Sequence, residues 1–140
     1  MSAHPRTKLP DGYDPKRNAA ADIAAATAKA KADRLPVLLD FGADWCPDCN
    51  DLQHLLRTRT VRPLIGAYHV VTIDVGRFNR RLDLAQKYGL ALKDTGIPAV
   101  VILSPDGEIR FAGSNGLHRN ADSTDEMTAD SVAAFLRRYQ

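Results

Sequence analysis

The two cysteines of this 140-residue chain lie in one short run, Trp45-Cys46-Pro47-Asp48-Cys49. A disulfide that closes so short a loop restricts the unfolded chain very little, so stabilisation is a poor reason for the pair. Pro47 predicts the start of a helix with Cys46 at its N-cap, where unpaired N–H groups and the helix dipole favour a thiolate. Cys49 would lie about one turn further on and be more buried. The pair therefore suits dithiol–disulfide exchange, in which Cys46 attacks a disulfide and Cys49 resolves the mixed disulfide.

A Cys-x-x-Cys pair can also supply half of a zinc site, which is the first alternative. The remaining ligands would have to be histidines, and those of this chain form no paired motif. They are His4, His54, His69 and His118. A second alternative is an unreactive pair in the core, which is disfavoured because Trp45 and the Pro47-Asp48 turn indicate a junction between strand and helix. We therefore expect no metal and no bound organic cofactor.

The elements around the cysteines alternate between helix and strand before they end in a hairpin. Asp14 and Pro15 predict the start of an alanine-rich helix, which should dock on the domain rather than build its core because alanine buries little area. The predicted order is helix 16–34, strand 37–41, a helix from residue 47, strand 69–74, helix 82–88, strands 97–103 and 108–112, and a helix after residue 128. This order predicts an α/β fold with a mixed central sheet flanked by helices.

The composition favours one small domain without a nucleic acid or membrane partner. Charged residues make up 26% of the chain, the net charge is +2 at pH 7, and the basic residues are scattered, which suits a solvated surface. No stretch approaches the ~20 apolar residues of a transmembrane helix, and residues 1–14 lack the apolar stretch of a secretory signal. We expect a flexible N-terminal arm over 1–14, a domain over 15–140, a mobile loop over 113–127, a monomer and a cytoplasmic location.

Two motifs together resemble the thioredoxin family. The run Asp40–Cys49 is similar to the active-site segment of thioredoxins, and Gly96-Ile97-Pro98 before a strand is similar to their cis-proline loop. The resemblance covers about residues 36–139, and the two motifs stand in the family's order. The Trp-Cys-Pro-Asp-Cys version is similar to that of small thioredoxin-related proteins. The resemblance implies a thioredoxin-like fold, here with an extra N-terminal helix, and a protein-disulfide reductase.

The resemblance also assigns roles to residues beside the cysteines. Asp40 interrupts an apolar run, and burial of a carboxylate is unfavourable and raises its pKa. The resemblance implies that Asp40 exchanges a proton with Cys49; the alternative is an outward-facing side chain on a strand that is not fully covered. In the family the peptide bond before the proline is cis, and its loop holds an extended substrate beside the cysteines. We expect substrate contacts from Trp45, Pro47, Asp48, Ile97 and Pro98. Core packing is the alternative role for Trp45.

Several residues depart from the thioredoxin pattern. Asp48 places a negative charge between the cysteines, where it competes with the nucleophilic thiolate for the helix dipole. Gly42 stands where many members have an aromatic residue, and Val70 where a lysine often accompanies the buried acid. The segment 75–95 is longer than in a minimal thioredoxin, so we expect residues 77–79 to reshape the substrate surface.

These observations predict a disulfide reductase that acts through Cys46 and Cys49 on a disulfide-containing protein or a small disulfide. Its electrons would come from an upstream reductant such as a thioredoxin reductase. Two alternatives keep the fold but differ in function. One is a domain that passes electrons between fixed partners. The other is a peptide-binding module that uses the groove near Pro98, with the cysteines as a redox switch.

Overall fold

The computed structural model describes residues 6–118 and 126–140. In these ranges the helices are α1 (Ala19–Asp33), α2 (Pro47–Leu56), α3 (Arg62–Ile65), α4 (Leu82–Lys87), α5 (Leu92–Thr95) and α6 (Ala129–Arg138). The strands are β1 (Val37–Gly42), β2 (His69–Asp74), β3 (Ala99–Leu103) and β4 (Ile109–Gly113). Helices therefore separate the first three strands, and β3 and β4 follow each other as a hairpin.

Within the described ranges the strands form one four-stranded sheet in the order β2-β1-β3-β4. β1 runs parallel to β2 and antiparallel to β3, and β3 runs antiparallel to β4. The hairpin turn closes where the N–H of Gly107 donates to the carbonyl of Ser104 at 2.9 Å. Gly107 has φ +93°, a conformation that favours glycine. The mixed sheet has apolar clusters on both faces, which confirms the predicted fold class.

α1 covers one face of the sheet through a stripe of mostly small residues. Ile23, Ala26 and Ala30 are buried in the same cluster as Leu39 and Val101 of the sheet. The expectation that this helix adds little to the core is therefore wrong. Small side chains let the helix lie close to the sheet, so its whole inner face is packed and buried.

α1 also begins later than the sequence predicted. Its N-cap is Asn18, whose side chain accepts a hydrogen bond from the backbone N–H of Ala21. Asp14 instead accepts from the backbone N–H of Lys16 in a turn that precedes the helix. Because Asp and Asn cap helices equally well, residue type alone did not distinguish the two positions.

Residues 6–14 lie against the domain, which corrects the expectation of a flexible arm for the described part of 1–14. Thr7 Oγ1 donates to the carbonyl of Tyr68 at 2.6 Å, and Arg57 Nη2 donates to the carbonyl of Pro10 at 2.8 Å. The side chain of Tyr13 is buried. These contacts hold the segment although it has no periodic apolar pattern. Residues 1–5 lie outside the described ranges, and the domain bounds stay a prediction.

α2 and α6 cover the opposite face of the sheet. Leu38 of β1 packs in one cluster with Leu52 of α2 and Leu136 of α6. Leu117, near the start of the predicted mobile loop, is buried in this cluster, and its carbonyl accepts from Ser131 Oγ at 2.7 Å. This part of the loop is therefore packed, while residues 119–125 lie outside the described ranges. Of the helices that the structure describes, none is long and apolar enough to span a bilayer.

Candidate active site

Cys46 lies at the N-cap of α2, as Pro47 predicted. Its backbone is extended, with φ −86° and ψ 115°, and its Sγ accepts a hydrogen bond from the N–H of Cys49 at 3.2 Å. The thiol also lies 3.7 Å from the carbonyl oxygen of Ile97, to which it can donate. A backbone N–H of the first helical turn thus points at the sulfur, which stabilises negative charge there.

Cys49 lies one turn further along α2 and is 0% exposed, whereas Cys46 is 5% exposed. Both cysteines are free thiols. Burial raises the pKa of the Cys49 thiol far above its ordinary value, and the neighbouring Cys46 and Asp40 add to the effect. Cys49 therefore stays protonated until a base takes its proton, which suits the second thiol of an exchange reaction.

Asp40 lies within β1, and its side chain is 0% exposed, so the alternative of an outward-facing carboxylate is excluded. Oδ2 accepts hydrogen bonds from the hydroxyl of Tyr13 at 2.7 Å and from Nε2 of Gln53 at 3.0 Å. Oδ1 is buried and accepts no hydrogen bond from the described residues. Burial raises the pKa of Asp40 to about 7, although both hydrogen bonds oppose the shift.

The surroundings of Asp40 suit proton transfer near neutral pH. A carboxyl whose pKa lies near the working pH can both take and return a proton, and the charge of Asp40 acts on Cys49. The residue opposite Asp40 in β2 is Thr72. Val70, which the sequence suggested as the counterpart of the family's lysine, pairs with Leu38 instead. The role of Asp40 as proton acceptor stays a prediction.

Tyr13 is a site residue that the sequence analysis missed. A Cβ at Gly42 would lie 2.6 Å from Cε1 of Tyr13 and 3.0 Å from Sγ of Cys49. The ring packs in one cluster with both cysteines and Ile97, and the Tyr13 N–H donates to Oδ1 of Asp44 at 2.9 Å. Gly42 was the signal that could have found it, because a glycine in place of an aromatic residue leaves room for a ring from elsewhere in the chain.

Trp45 lies on the surface beside Cys46 and is 43% exposed, so core packing is not its role. Its Nε1–H donates to the carbonyl of Gly76 at 2.8 Å. The ring of Phe78 meets it edge-on with centroids 6.3 Å apart, and the guanidinium of Arg77 lies 4.8 Å from its centroid. Residues 77 and 78 belong to the segment 75–95, which is longer than in a minimal thioredoxin. This segment therefore extends the aromatic surface around Trp45, next to Cys46.

The loop before β3 and the first turn of α2 border the nucleophile. The Ile97–Pro98 peptide bond is cis, as the resemblance implied. Pro98 is buried and Ile97 is half-buried, with its carbonyl facing the thiol of Cys46. Pro47 and Asp48 are exposed at the start of α2. The structure thus places these predicted substrate-contacting residues near Cys46, and their contact with a substrate stays a prediction.

The arrangement is suited to dithiol–disulfide exchange. A thiol at a helix N-terminus and a buried second thiol pack with Tyr13, and a buried carboxylate with a pKa near 7 accepts a hydrogen bond from the hydroxyl of that tyrosine. The first thiol can attack a disulfide, and the second thiol and the carboxylate can complete the exchange. In residues 6–118 and 126–140, no group of three His, Cys, Asp or Glu side chains is placed to hold a metal ion.

Comparison with protein families and curated proteins gives two matches along the sequence. A family model described as thioredoxin-like matches residues 18–105. Over 90 residues, or 63% of this chain, the sequence is 33% identical to the thiol:disulfide interchange protein DsbD 1 of Pseudomonas aeruginosa. The matched part is 15% of that protein, so the chain spans only a small fraction of its relative's length.

Two solved structures resemble most of the chain. A disulphide isomerase from Xylella fastidiosa Temecula1 is 37% identical, with a TM-score of 0.79, over 94% of this chain and 98% of that one. The C-terminal domain of Neisseria meningitidis DsbD in its reduced form is 24% identical, with a TM-score of 0.65, over 88% of this chain and 97% of that one. Because the DsbD domain is only 24% identical, its similarity to this chain shows a shared fold alone.

Proposed function

The chain belongs to the thioredoxin-like family, and on this premise we propose that it acts as a disulfide reductase. Thiol–disulfide oxidoreductase activity itself follows from the family, the relatives and the cysteine pair. The observation that carries the proposal is the placement of Cys46 at the N-cap of α2, beside buried Cys49 and Asp40. In this proposal Cys46 is the nucleophile, Cys49 the resolving thiol and Asp40 the base.

The first step is attack by Cys46 on a substrate disulfide. The substrate lies against Trp45 and the Ile97–Pro98 loop, whose backbone can pair with an extended peptide. The Cys46 thiolate displaces one substrate sulfur, which leaves with the bonding electron pair and takes a proton. A mixed disulfide between Cys46 and the other substrate sulfur results.

The second step completes the two-electron transfer. Asp40 takes the proton of Cys49, and the resulting thiolate attacks Sγ of Cys46. The second substrate sulfur leaves and receives a proton, so the substrate ends as two thiols and the protein as a Cys46–Cys49 disulfide. Because burial raises the pKa of Cys49, its thiol attacks only after a base has taken its proton.

Asp48 bears on the direction of electron flow. This carboxylate lies on the exposed first turn of α2, two residues after Cys46. A negative charge there opposes the thiolate that the helix N-terminus favours, so the dithiol is only mildly stabilised over the disulfide. A pair poised in this way gives electrons to most substrate disulfides, which supports reduction rather than oxidation.

The partners follow from this direction. Exchange proteins act on disulfide-containing molecules and need a redox partner; we propose a thioredoxin reductase-like donor for this chain. We propose that the protein works as a monomer in the cytoplasm, where a reducing pool keeps such thiols reduced.

A second candidate function is transfer of electrons between fixed protein partners. The sequence likeness to one part of DsbD 1, a thiol:disulfide interchange protein, favours it.

Reduction of insulin by dithiothreitol tests the proposed activity. The wild type should accelerate insulin precipitation at least about tenfold over dithiothreitol alone, and Cys46→Ser should abolish the acceleration. Cys49→Ser serves as a matched control that keeps the nucleophile but lacks the resolving thiol, so release of its mixed disulfide depends on dithiothreitol and the acceleration should be smaller. A wild type no faster than dithiothreitol alone would contradict a general reductase. Peptide binding that changes with the redox state of the cysteines would then support the binding module.

A further inference from the structure

Tyr13 precedes the first helix, yet its hydroxyl reaches the acid beside the cysteines. The hydroxyl donates to Oδ2 of Asp40 at 2.7 Å, a shorter hydrogen bond than the 3.0 Å one from Gln53. The ring occupies the space that a side chain at Gly42 would need. Tyr13 is 1% exposed, so its hydroxyl is held away from solvent.

Further hydrogen bonds fix the segment that carries Tyr13. Its backbone N–H donates to Oδ1 of Asp44 at 2.9 Å. Arg57 Nη2 donates to the carbonyl of Pro10 at 2.8 Å, and Arg57 Nη1 donates to the carbonyl of Gln53 at 3.0 Å. The N-terminal segment and α2 are therefore tied together, and both donors to Asp40 come from these two elements.

The groups that face Asp40 come from the N-terminal segment, from α2 and from the flanking strands. Thr72 of β2 and Val100 of β3 lie opposite it in the sheet, and neither carries a charge. Tyr13 and Cys49 can titrate, and burial raises the pKa of both. Both therefore stay protonated near neutral pH, and Asp40 is the member of this cluster that changes charge there.

We propose that Tyr13 is a positioning residue for the second step of disulfide reduction, an inference that rests on the proposed function. Its hydroxyl holds Oδ2 of Asp40 in a hydrogen bond, while Oδ1 accepts none from the described residues. The carboxylate held in this orientation takes the proton of Cys49. The Cys49 thiolate then attacks Sγ of Cys46 in the mixed disulfide, and the substrate sulfur leaves with the bonding pair. The proton on Asp40 passes to that departing thiolate, so the step balances without another reactant.

Loss of the Tyr13 hydroxyl has a defined effect on the acid. A hydrogen bond to the charged form of a carboxyl favours that form, so removing the hydroxyl raises the pKa of Asp40 further. Below its pKa, the ionised fraction of Asp40 falls about tenfold for each pH unit by which that pKa rises. The second step should therefore slow on the acidic side and recover at high pH, where Asp40 is ionised with or without the hydroxyl.

Tyr13→Phe tests this effect because it removes the hydroxyl and keeps the ring. Reduced protein is mixed with a large excess of oxidised glutathione, so that the second step limits the rate, over about pH 5.5 to 9.5. Fluorescence of Trp45, the chain's single tryptophan, follows the reaction next to Cys46. Tyr68→Phe is the matched control, because it also removes a buried tyrosine hydroxyl. That hydroxyl donates to the carbonyl of Leu136 in α6 at 2.6 Å, within the apolar cluster that α2 and α6 form on the sheet.

In the plot of rate against pH, the acidic limb of Tyr13→Phe should shift to higher pH by about one unit. The rate of the variant near pH 6 should therefore be about tenfold lower than that of the wild type. The rate should match the wild type near pH 9, and Tyr68→Phe should match it throughout. In an Asp40→Asn background, Tyr13→Phe should change nothing further.

A Tyr13→Phe profile that coincides with the wild type overturns the proposal. So does an effect of Tyr13→Phe that persists in the Asp40→Asn background, since Tyr13 would then act through packing alone. Failure of the proposed function is distinguishable from both results, because the wild type itself would not reduce glutathione disulfide.

Discussion

Asp40→Asn removes a fully buried charge and keeps the shape of the side chain, so its effect on stability should depend on pH. Burial raises the pKa of Asp40 from 3.8 to about 7 in the folded protein, whereas the unfolded chain keeps the ordinary value. Below about pH 3.8 the carboxyl is neutral in both states, and folding carries no penalty from it. As the pH rises from about 3.8 to 7, the Asp40 carboxyl ionises in the unfolded chain but stays protonated in the folded protein, so the wild type loses stability.

The size of this loss follows from the difference between the two pKa values. About three pH units at 1.36 kcal/mol each amount to about 4 kcal/mol, reached above about pH 7. Asparagine is neutral at every pH, so the variant escapes the loss. Its new amide N–H group lacks a partner, which costs about 1–3 kcal/mol at any pH. We therefore expect Asp40→Asn to be less stable than the wild type near pH 4 and more stable by about 1–3 kcal/mol near pH 8.

Urea unfolding of both reduced proteins at several pH values measures this difference. The other titrating groups are common to the two proteins, so their contributions cancel in the difference between the free energies of unfolding. Disulfide reduction by the same samples should be slower in Asp40→Asn at neutral pH. A stability difference that stays constant between about pH 4 and 8 would refute the raised pKa of Asp40 and, with it, the assigned proton transfer.

The order of attack and the packing at the site give two more predictions. At about pH 7, iodoacetamide should alkylate Cys46 of the reduced protein at least about tenfold faster than Cys49, because Cys49 is buried and its pKa is raised. Peptide mass spectrometry measures both rates, and faster labelling of Cys49 would reverse the roles. Gly42→Ala should lower the free energy of unfolding by about 1–3 kcal/mol in urea, because the new methyl group meets the Tyr13 ring at 2.6 Å. Unchanged stability would mean that the ring moves aside freely.

The sequence was informative where a short motif determines local geometry. Pro47 after Cys46 predicted the N-cap, and the structure has it. The apolar run around Asp40 predicted a strand over 37–41, which β1 confirms. The hairpin of β3 and β4 was also predicted, and two residues of its turn suit the backbone there: Pro105 fixes its own φ, and Gly107 permits a positive φ.

The sequence was less informative where contacts between distant segments determine the structure. Tyr13 lies in a stretch without periodicity, and its position depends on partners such as Asp40 and Asp44, about thirty residues away. The four-residue helices α3 and α5 were missed because a single turn carries no periodic signal. The role of α1 in the core was missed because alanine burial depends on how closely the helix approaches the sheet.

The reduction potential of the Cys46–Cys49 pair tests the proposed direction of electron flow most directly. Equilibration of the purified protein against glutathione redox buffers, with the oxidised fraction read from thiol labelling, gives the value. Because Asp48 opposes the thiolate at the helix N-terminus, the account predicts a reducing pair, at about −240 to −280 mV. A potential above about −180 mV, in the range of isomerases and oxidants, would contradict the assignment as a reductase.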